Sequence, residues 1–208
     1  MAIRAFGAEL PVWVDEELEA ARADLGTDEG RMRLLNRLAE RNVAEGSGGP
    51  FSALTVHRGT GEVVAAGVNL VLASGLSSMH AEVVTISVTQ ARLGTWDLGS
   101  LDDPLELWVN WRPCAMCYGA TLWSGVRGLV VAGDGPELEQ LTGFDEGPMR
   151  EDWAQQFEDR GIAVRVGVLR DEAVAVFERY GSNPDRVVYN ATLTDLSLIH
   201  ISEPTRPY

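Results

Sequence analysis

Apolar residues along this chain change their spacing repeatedly, and each change marks an element. Met32, Leu35, Leu38, Ala39 and Val43 approximate one stripe of a helix, which predicts helix over Asp28 to Ala44. Asp15 to Ala23 reads as a shorter helix before it. The run Gly46-Ser47-Gly48-Gly49-Pro50 stops the second helix, because glycine and proline both disfavour its continuation. Two β-branched, alternating runs follow, Phe51 to His57 and Glu62 to Val71, and Arg58-Gly59-Thr60-Gly61 between them reads as a hairpin turn. Ser77 or Ser78 is placed to cap a helix over Met79 to Leu93.

After a Gly- and Asp-rich loop, Gly94 to Pro104, short apolar runs and helical patterns alternate. Strands are expected at Leu105 to Trp111, Arg127 to Ala132 and Ala163 to Leu169. Helices are expected at Cys114 to Ser124, Glu137 to Leu141, Glu151 to Arg160 and Asp171 to Tyr180. An antiparallel hairpin followed by strand and helix alternation predicts an α/β fold, a three-layer α/β/α domain with a mixed sheet of about five strands. A chain of 208 residues carries one such domain, expected here over 1–191. The stretch Leu196 to Tyr208 resembles translated adapter sequence, so 192–208 is expected to be a non-native tail and His200 is set aside as a ligand.

Charge narrows the partners. The formal net charge is -14, and the 17 basic residues are all arginine. Nucleic-acid binding draws on a basic patch that neutralises phosphates, so a small neutral or cationic partner is expected instead. The N-terminus lacks the apolar stretch of a signal peptide. Val63 to Leu76, broken by Asn69 and Ser74, falls short of the about 20 residues a membrane helix needs. The expectation is a cytoplasmic protein with no membrane partner. The cysteines, two residues apart, also make a poor disulfide staple.

Those cysteines, Cys114 and Cys117, are the only two in the chain and lie in Arg112-Pro113-Cys114-Ala115-Met116-Cys117. Taken alone, Cys-x-x-Cys fits a redox pair, a structural zinc ribbon or buried thiols as well as a metal site. No second pair exists to complete a four-ligand structural site. Catalytic zinc takes three protein ligands and leaves one position for water. His80, at the start of another predicted helix, supplies a third. A Zn2+ ion held by His80, Cys114 and Cys117 would lower the pKa of its bound water to about 7. Glu82, two residues beyond His80, is placed to take a proton from that water and return it to substrate.

His80-Ala81-Glu82 with Pro113-Cys114-Ala115-Met116-Cys117 is similar to the zinc signature of the cytidine-deaminase-like superfamily. Gly48-Gly49-Pro50-Phe51, Asn69, Trp123-Ser124-Gly125-Val126 and Gly143-Phe144-Asp145-Glu146-Gly147-Pro148 extend the likeness. The last of these makes the chain resemble the branch of small bacterial guanine deaminases and plant guanosine deaminases. The resemblance implies one zinc per chain with a bound water or hydroxide, and deamination of guanine to xanthine and ammonia. It implies that Asn69 and the Ala81 N–H bind the base, that Glu146 is a second proton shuttle, and that Phe144 stacks on the ring. Tyr189, with Asn190, would close over the pocket. Phe51 and Trp111 are further stacking candidates whose competing role is the core.

Guanosine, an ammeline-like aminotriazine and cytosine stand as alternative substrates. A tRNA adenosine deaminase and a silent zinc-binding module are more distant readings. Members of the family pair as dimers, some exchanging C-terminal segments, so the resemblance also implies a homodimer. The chain departs from the family pattern at Arg112, where glutamate is usual, and that reversal of charge bears on substrate preference.

Overall fold

The structure, a computed structural model, describes residues 5–189; Asn190, His200 and the expected tail lie outside them. Five strands form one mixed sheet in the order β2-β1-β3-β4-β5, with β1 Ser52–His57, β2 Val63–Val68, β3 Leu105–Val109, β4 Gly128–Val131 and β5 Ala163–Val166. β1 runs antiparallel to both β2 and β3, while β3, β4 and β5 are parallel. The eight helices among the described residues are α1 Val12–Ala20, α2 Asp28–Ala44, α3 Val71–Ser74, α4 Ala81–Leu93, α5 Ala115–Ser124, α6 Glu137–Thr142, α7 Trp153–Glu158 and α8 Arg170–Ser182.

Alternation along each strand divides the core into two layers. Leu54, Val68, Trp108 and Val130 meet Trp13 of α1, Met32, Leu35 and Leu38 of α2 and Phe177 of α8 on one face. Ala53, Leu107, Val109, Leu129 and Val131 meet Ile86 of α4 and Trp153 and Phe157 of α7 on the other, with Tyr118 and Leu122 of α5 packed beside them. The expected three-layer arrangement is therefore present, and burying each large side chain contributes about 1.5–3 kcal/mol.

α2 spans the residues its stripe predicts. Thr27 Oγ1 accepts a hydrogen bond from the Gly30 N–H at 3.0 Å, and Asp28 and Glu29 sit where the helix dipole favours negative charge. α1 begins earlier than expected because Pro11, at its N-cap with φ -62, is preset for a helix start. The run expected as strand to Val71 ends at Val68. Asn69 Oδ1 accepts from the Val71 N–H at 3.2 Å, and that side-chain turn diverts the chain into α3.

Neither Ser77 nor Ser78 caps α4. His80 occupies its N-cap in extended conformation and makes no side-chain capping bond, because its ring turns to Cys114. β3 and β5 stop short of the expected ends, and α7 is four residues shorter than Glu151 to Arg160. Leu169, with φ 51, turns the chain away from β5 into α8.

Candidate active site

Beyond the carboxyl end of β3, Asn110, Trp111, Arg112 and Pro113 lead to α5, whose N-cap is Cys114. His80 is the N-cap of α4, so two residues at helix starts face one another across the end of the sheet. Cys114 Sγ lies 3.5 Å from His80 Nδ1. The ligand atoms of His80, Cys114 and Cys117 all lie within 4.8 Å of one another, and no other such group of three occurs among the described residues.

Electrostatics bind the cluster together. A hydrogen bond with Cys117, joined by one with His80, pushes the Cys114 thiol down to about 4 against the opposing effect of burial. Cys117, hydrogen-bonded to Cys114 and deeply buried, is shifted well upward. Burial opposes the charged form of His80, but the Cys114 hydrogen bond and the nearby negative charges raise it overall. Glu82 is pushed up to about 7 by burial and by the Cys114 charge, while its contact with Cys117 works the other way. Glu146 is pushed up to about 9 by burial, then by Cys114 and Glu82, with the Arg112 charge opposing. Two carboxyls with elevated affinity for protons thus stand beside one cluster of soft donors.

A narrow cavity of about 10 Å³, room for about one water molecule, opens on these groups. Phe51, His80, Glu82, Val109, Trp111, Arg112, Cys114, Phe144, Glu146 and Tyr189 line it. A wider outer cleft shares His80, Cys114 and Glu146 with it and is bounded by Ser77 and Asp145. Phe144 packs edge-on to Phe51 with ring centroids 5.4 Å apart, and Tyr189 lies 4.9 Å from Phe144. Trp111 is pinned at right angles against Phe177 at 5.2 Å. The aromatic walls therefore belong to the pocket and the core together. The Tyr189 hydroxyl accepts from the Gly49 N–H at 3.0 Å, and a Cβ on Gly49 would come within 2.6 Å of that oxygen.

Asn69 and Ala81 do not line the cavity with their side chains. Asn69 Nδ2 is nevertheless buried without a hydrogen-bond partner, close to the Tyr189 phenol. Ala81 opens α4, where the first N–H groups have no partner within the helix.

The sequence from 26 to 133 matches the family described as the cytidine and deoxycytidylate deaminase zinc-binding region. The chain belongs to that family. A guanine deaminase of Bacillus subtilis (strain 168) is 32% identical over 125 residues, covering 60% of this chain and 76% of the relative. The solved structure of a guanine deaminase from Nitrosomonas europaea superposes with a TM-score of 0.79 at 37% identity, over 88% of this chain and 100% of that one. A mutant protein crystallised in complex with 8-azaguanine is 38% identical, with a TM-score of 0.79 over 86% of this chain and 99% of that one.

This deaminase has donors that suit the metal its family name specifies. Tetrahedral zinc, with Zn–S about 2.3 Å and Zn–N about 2.0–2.1 Å, spaces a sulfur and a nitrogen about 3.6 Å apart. The observed Cys114–His80 separation is 3.5 Å. Two thiols and one imidazole are the soft donors zinc prefers, and helix starts favour thiolate.

Two framework residues had no place in the motif reading. Asn42 Nδ2 donates to Gly49 O at 2.9 Å and Asn69 O at 2.8 Å. Asn110 donates to Pro50 O at 2.9 Å and accepts from the Ser52 N–H at 3.1 Å. The signal for Asn42 was its place on the apolar stripe of α2, one turn beyond Leu38 and Ala39. Arg112 was flagged by sequence and does line the cavity.

Proposed function

We propose that the chain is a zinc-dependent hydrolase that converts guanine and water to xanthine and ammonia. The observation that carries this reading is the meeting of His80, Cys114 and Cys117 with Glu82 and Glu146 at one small, aromatic-walled cavity. His80, Cys114 and Cys117 would hold the ion. When bound there with one open position, zinc supplies a Lewis acid that makes water a nucleophile near neutral pH.

Glu82, poised near 7, takes a proton from the water that attacks C2 of guanine and passes it to a ring nitrogen. Burial raises the proton affinity of Glu146, which donates to the departing amino group, leaving as ammonia, and regains its proton from the C2 hydroxyl as that becomes the carbonyl of xanthine. Phe144 stacks on the base, with Phe51, Trp111 and Tyr189 completing walls that exclude bulk water. Asn69, whose Oδ1 accepts from the Val71 N–H, meets the purine edge through its Nδ2, and the Ala81 N–H binds the exocyclic oxygen. A net charge of -14 disfavours a tRNA substrate.

The working form we infer is a cytoplasmic homodimer of purine metabolism, built from a single domain. No helix among the described residues is long and apolar enough to cross a membrane. Support for the dimer comes from α5. Met116, Gly119, Ala120 and Trp123 share one of its faces, with Trp123 87% and Met116 40% exposed. A Cβ on Gly119 would meet nothing within 4 Å.

The deciding experiment is a panel of guanine, guanosine, cytosine, adenine and an aminotriazine with zinc-loaded protein, following ammonia release and xanthine absorbance. Xanthine from guanine is the expected product. Absence of guanine turnover would overturn the substrate, and absence of all turnover the activity.

A further inference from the structure

Arg112 is the one arginine among the residues lining the cavity. Its backbone is fixed, with its N–H donating to Gly133 O at 2.9 Å and the following residue a proline. The neighbouring Trp111 ring is held between Phe177 and the guanidinium of Arg170, 5.6 Å from its centroid. Within this rigid link the Arg112 Nε is buried and has no hydrogen-bond partner. Glu146, on the same wall, feels Arg112 as a charge and not as a hydrogen-bond partner. Several other arginines end on carboxylates, as Arg170 does on Glu137 and Arg179 on Glu40.

A guanidinium has five donors, no acceptor and a permanent charge. Among the described residues no acceptor meets its Nε, so an acceptor on the occupant of the cavity can complement it. A carbonyl oxygen facing it gains a charge-assisted bond, whereas an amino group brings donor against donor.

We propose that Arg112 is a specificity-determining residue that donates to the exocyclic oxygen of the bound ring alongside the Ala81 N–H, the oxygen's two lone pairs accepting from both, and so selects an oxo-substituted over an amino-substituted heterocycle at that edge. The proposal rests on the reading of the cavity as a base-deaminating site, and it names the feature of the base that the site reads. Guanine and 2,6-diaminopurine are the matched probes. Both carry the 2-amino group that is hydrolysed, and they differ in oxygen or amine at C6 and in the proton that the oxo form carries on N1.

The test compares zinc-loaded wild type with Arg112→Gln and Arg112→Lys, measuring kcat/KM for both bases. Calorimetric Kd values for both are taken in a Glu82→Gln background, where turnover is suppressed. Wild type is expected to prefer guanine. Arg112→Gln should lower the guanine to diaminopurine ratio by about 10- to 100-fold, the effect of losing one hydrogen bond to a charged group. The change should fall on KM and Kd, and Arg112→Lys, which keeps the charge without the fork, should recover part of it. An unchanged ratio in Arg112→Gln with full zinc content overturns the proposal. So does an equal loss for both bases, which would make Arg112 a support for the loop. Should wild type turn over neither base, the proposed activity fails while the binding ratio still decides the role of Arg112.

Discussion

Glu82 and Glu146 are two buried carboxyls given different proton affinities by their surroundings, and each assignment can be tested alone. Glu82 touches Cys117 and sits near 7, close to neutral pH, where a group serves equally as acceptor and donor. Glu82→Ala should lower kcat by at least about 10²–10⁴-fold, while metal analysis of the purified variant still shows one zinc per chain. Retained turnover would remove the residue from its role. Glu146 binds its proton more tightly in the folded chain, near 9, than unfolded, near ~4.3. Its contribution to stability is therefore complete below the unfolded value and is lost as pH rises through about 9. Cys114, depressed to about 4, titrates in the opposite sense, so the wild-type profile alone does not report on Glu146. The difference between wild type and Glu146→Gln does. In metal-free protein the variant should gain stability over wild type between about pH 5 and 9, by at most about 1.4 kcal/mol per pH unit. Urea denaturation across that range is the measurement, and a flat difference would show that Glu146 is ionised in the folded protein.

At the scale of elements, α4 and α5 position the ligands by beginning where they do, and a buried asparagine frame holds the opposite wall. Asn42, fully buried, joins Gly49 O to Asn69 O, which lie 7 and 27 residues beyond it in the chain. Asn42→Ala leaves Asn69 O without this donor, while Gly49 O keeps the Phe51 N–H at 2.8 Å, and should cost about 1–3 kcal/mol in chemical denaturation. A cost under 1 kcal/mol would mean that water replaces the side chain. The contrast with the ligands explains what could be read in advance. His80, Glu82, Cys114 and Cys117 were legible because the chemistry demands those residue types at those spacings. Phe144 and Glu146 came from resemblance, since Asp-Glu-Gly-Pro is also an ordinary turn. Asn42 was hidden because its partners are remote, and a polar residue near a helix end reads as a boundary. Likewise α3 escaped notice because Val71 continued the apolar run of β2, and only the Asn69 side-chain bond turns the chain there.

For the whole molecule, periodicity specified the layers and strand count, since each buried face leaves a stripe, but it could not say which apolar residues stay uncovered. α5 shows the difference. Tyr118 and Leu122 pack into the core, while Trp123 remains 87% exposed on the opposite side. Trp96, 82% exposed, lies in the loop that presses against the end of the same helix, where a Cβ on Gly125 would come within 2.3 Å of Gly99 N. The exposed Trp123 and Met116 beside an open Gly119 surface leave apolar area in water unless a second copy covers it. Because α5 begins at Cys114, a partner seated there would also brace the ligand-bearing turn. Gly119→Arg, at a position where a Cβ meets nothing within 4 Å, places a charge in the middle of that face without touching the cavity, and it should convert a dimer to a monomer in light scattering. Turnover should fall with it, and for wild type the activity per chain should drop on dilution through the dissociation range. A monomeric wild type with concentration-independent activity would leave the exposed face of α5 without this explanation and the site complete in one chain.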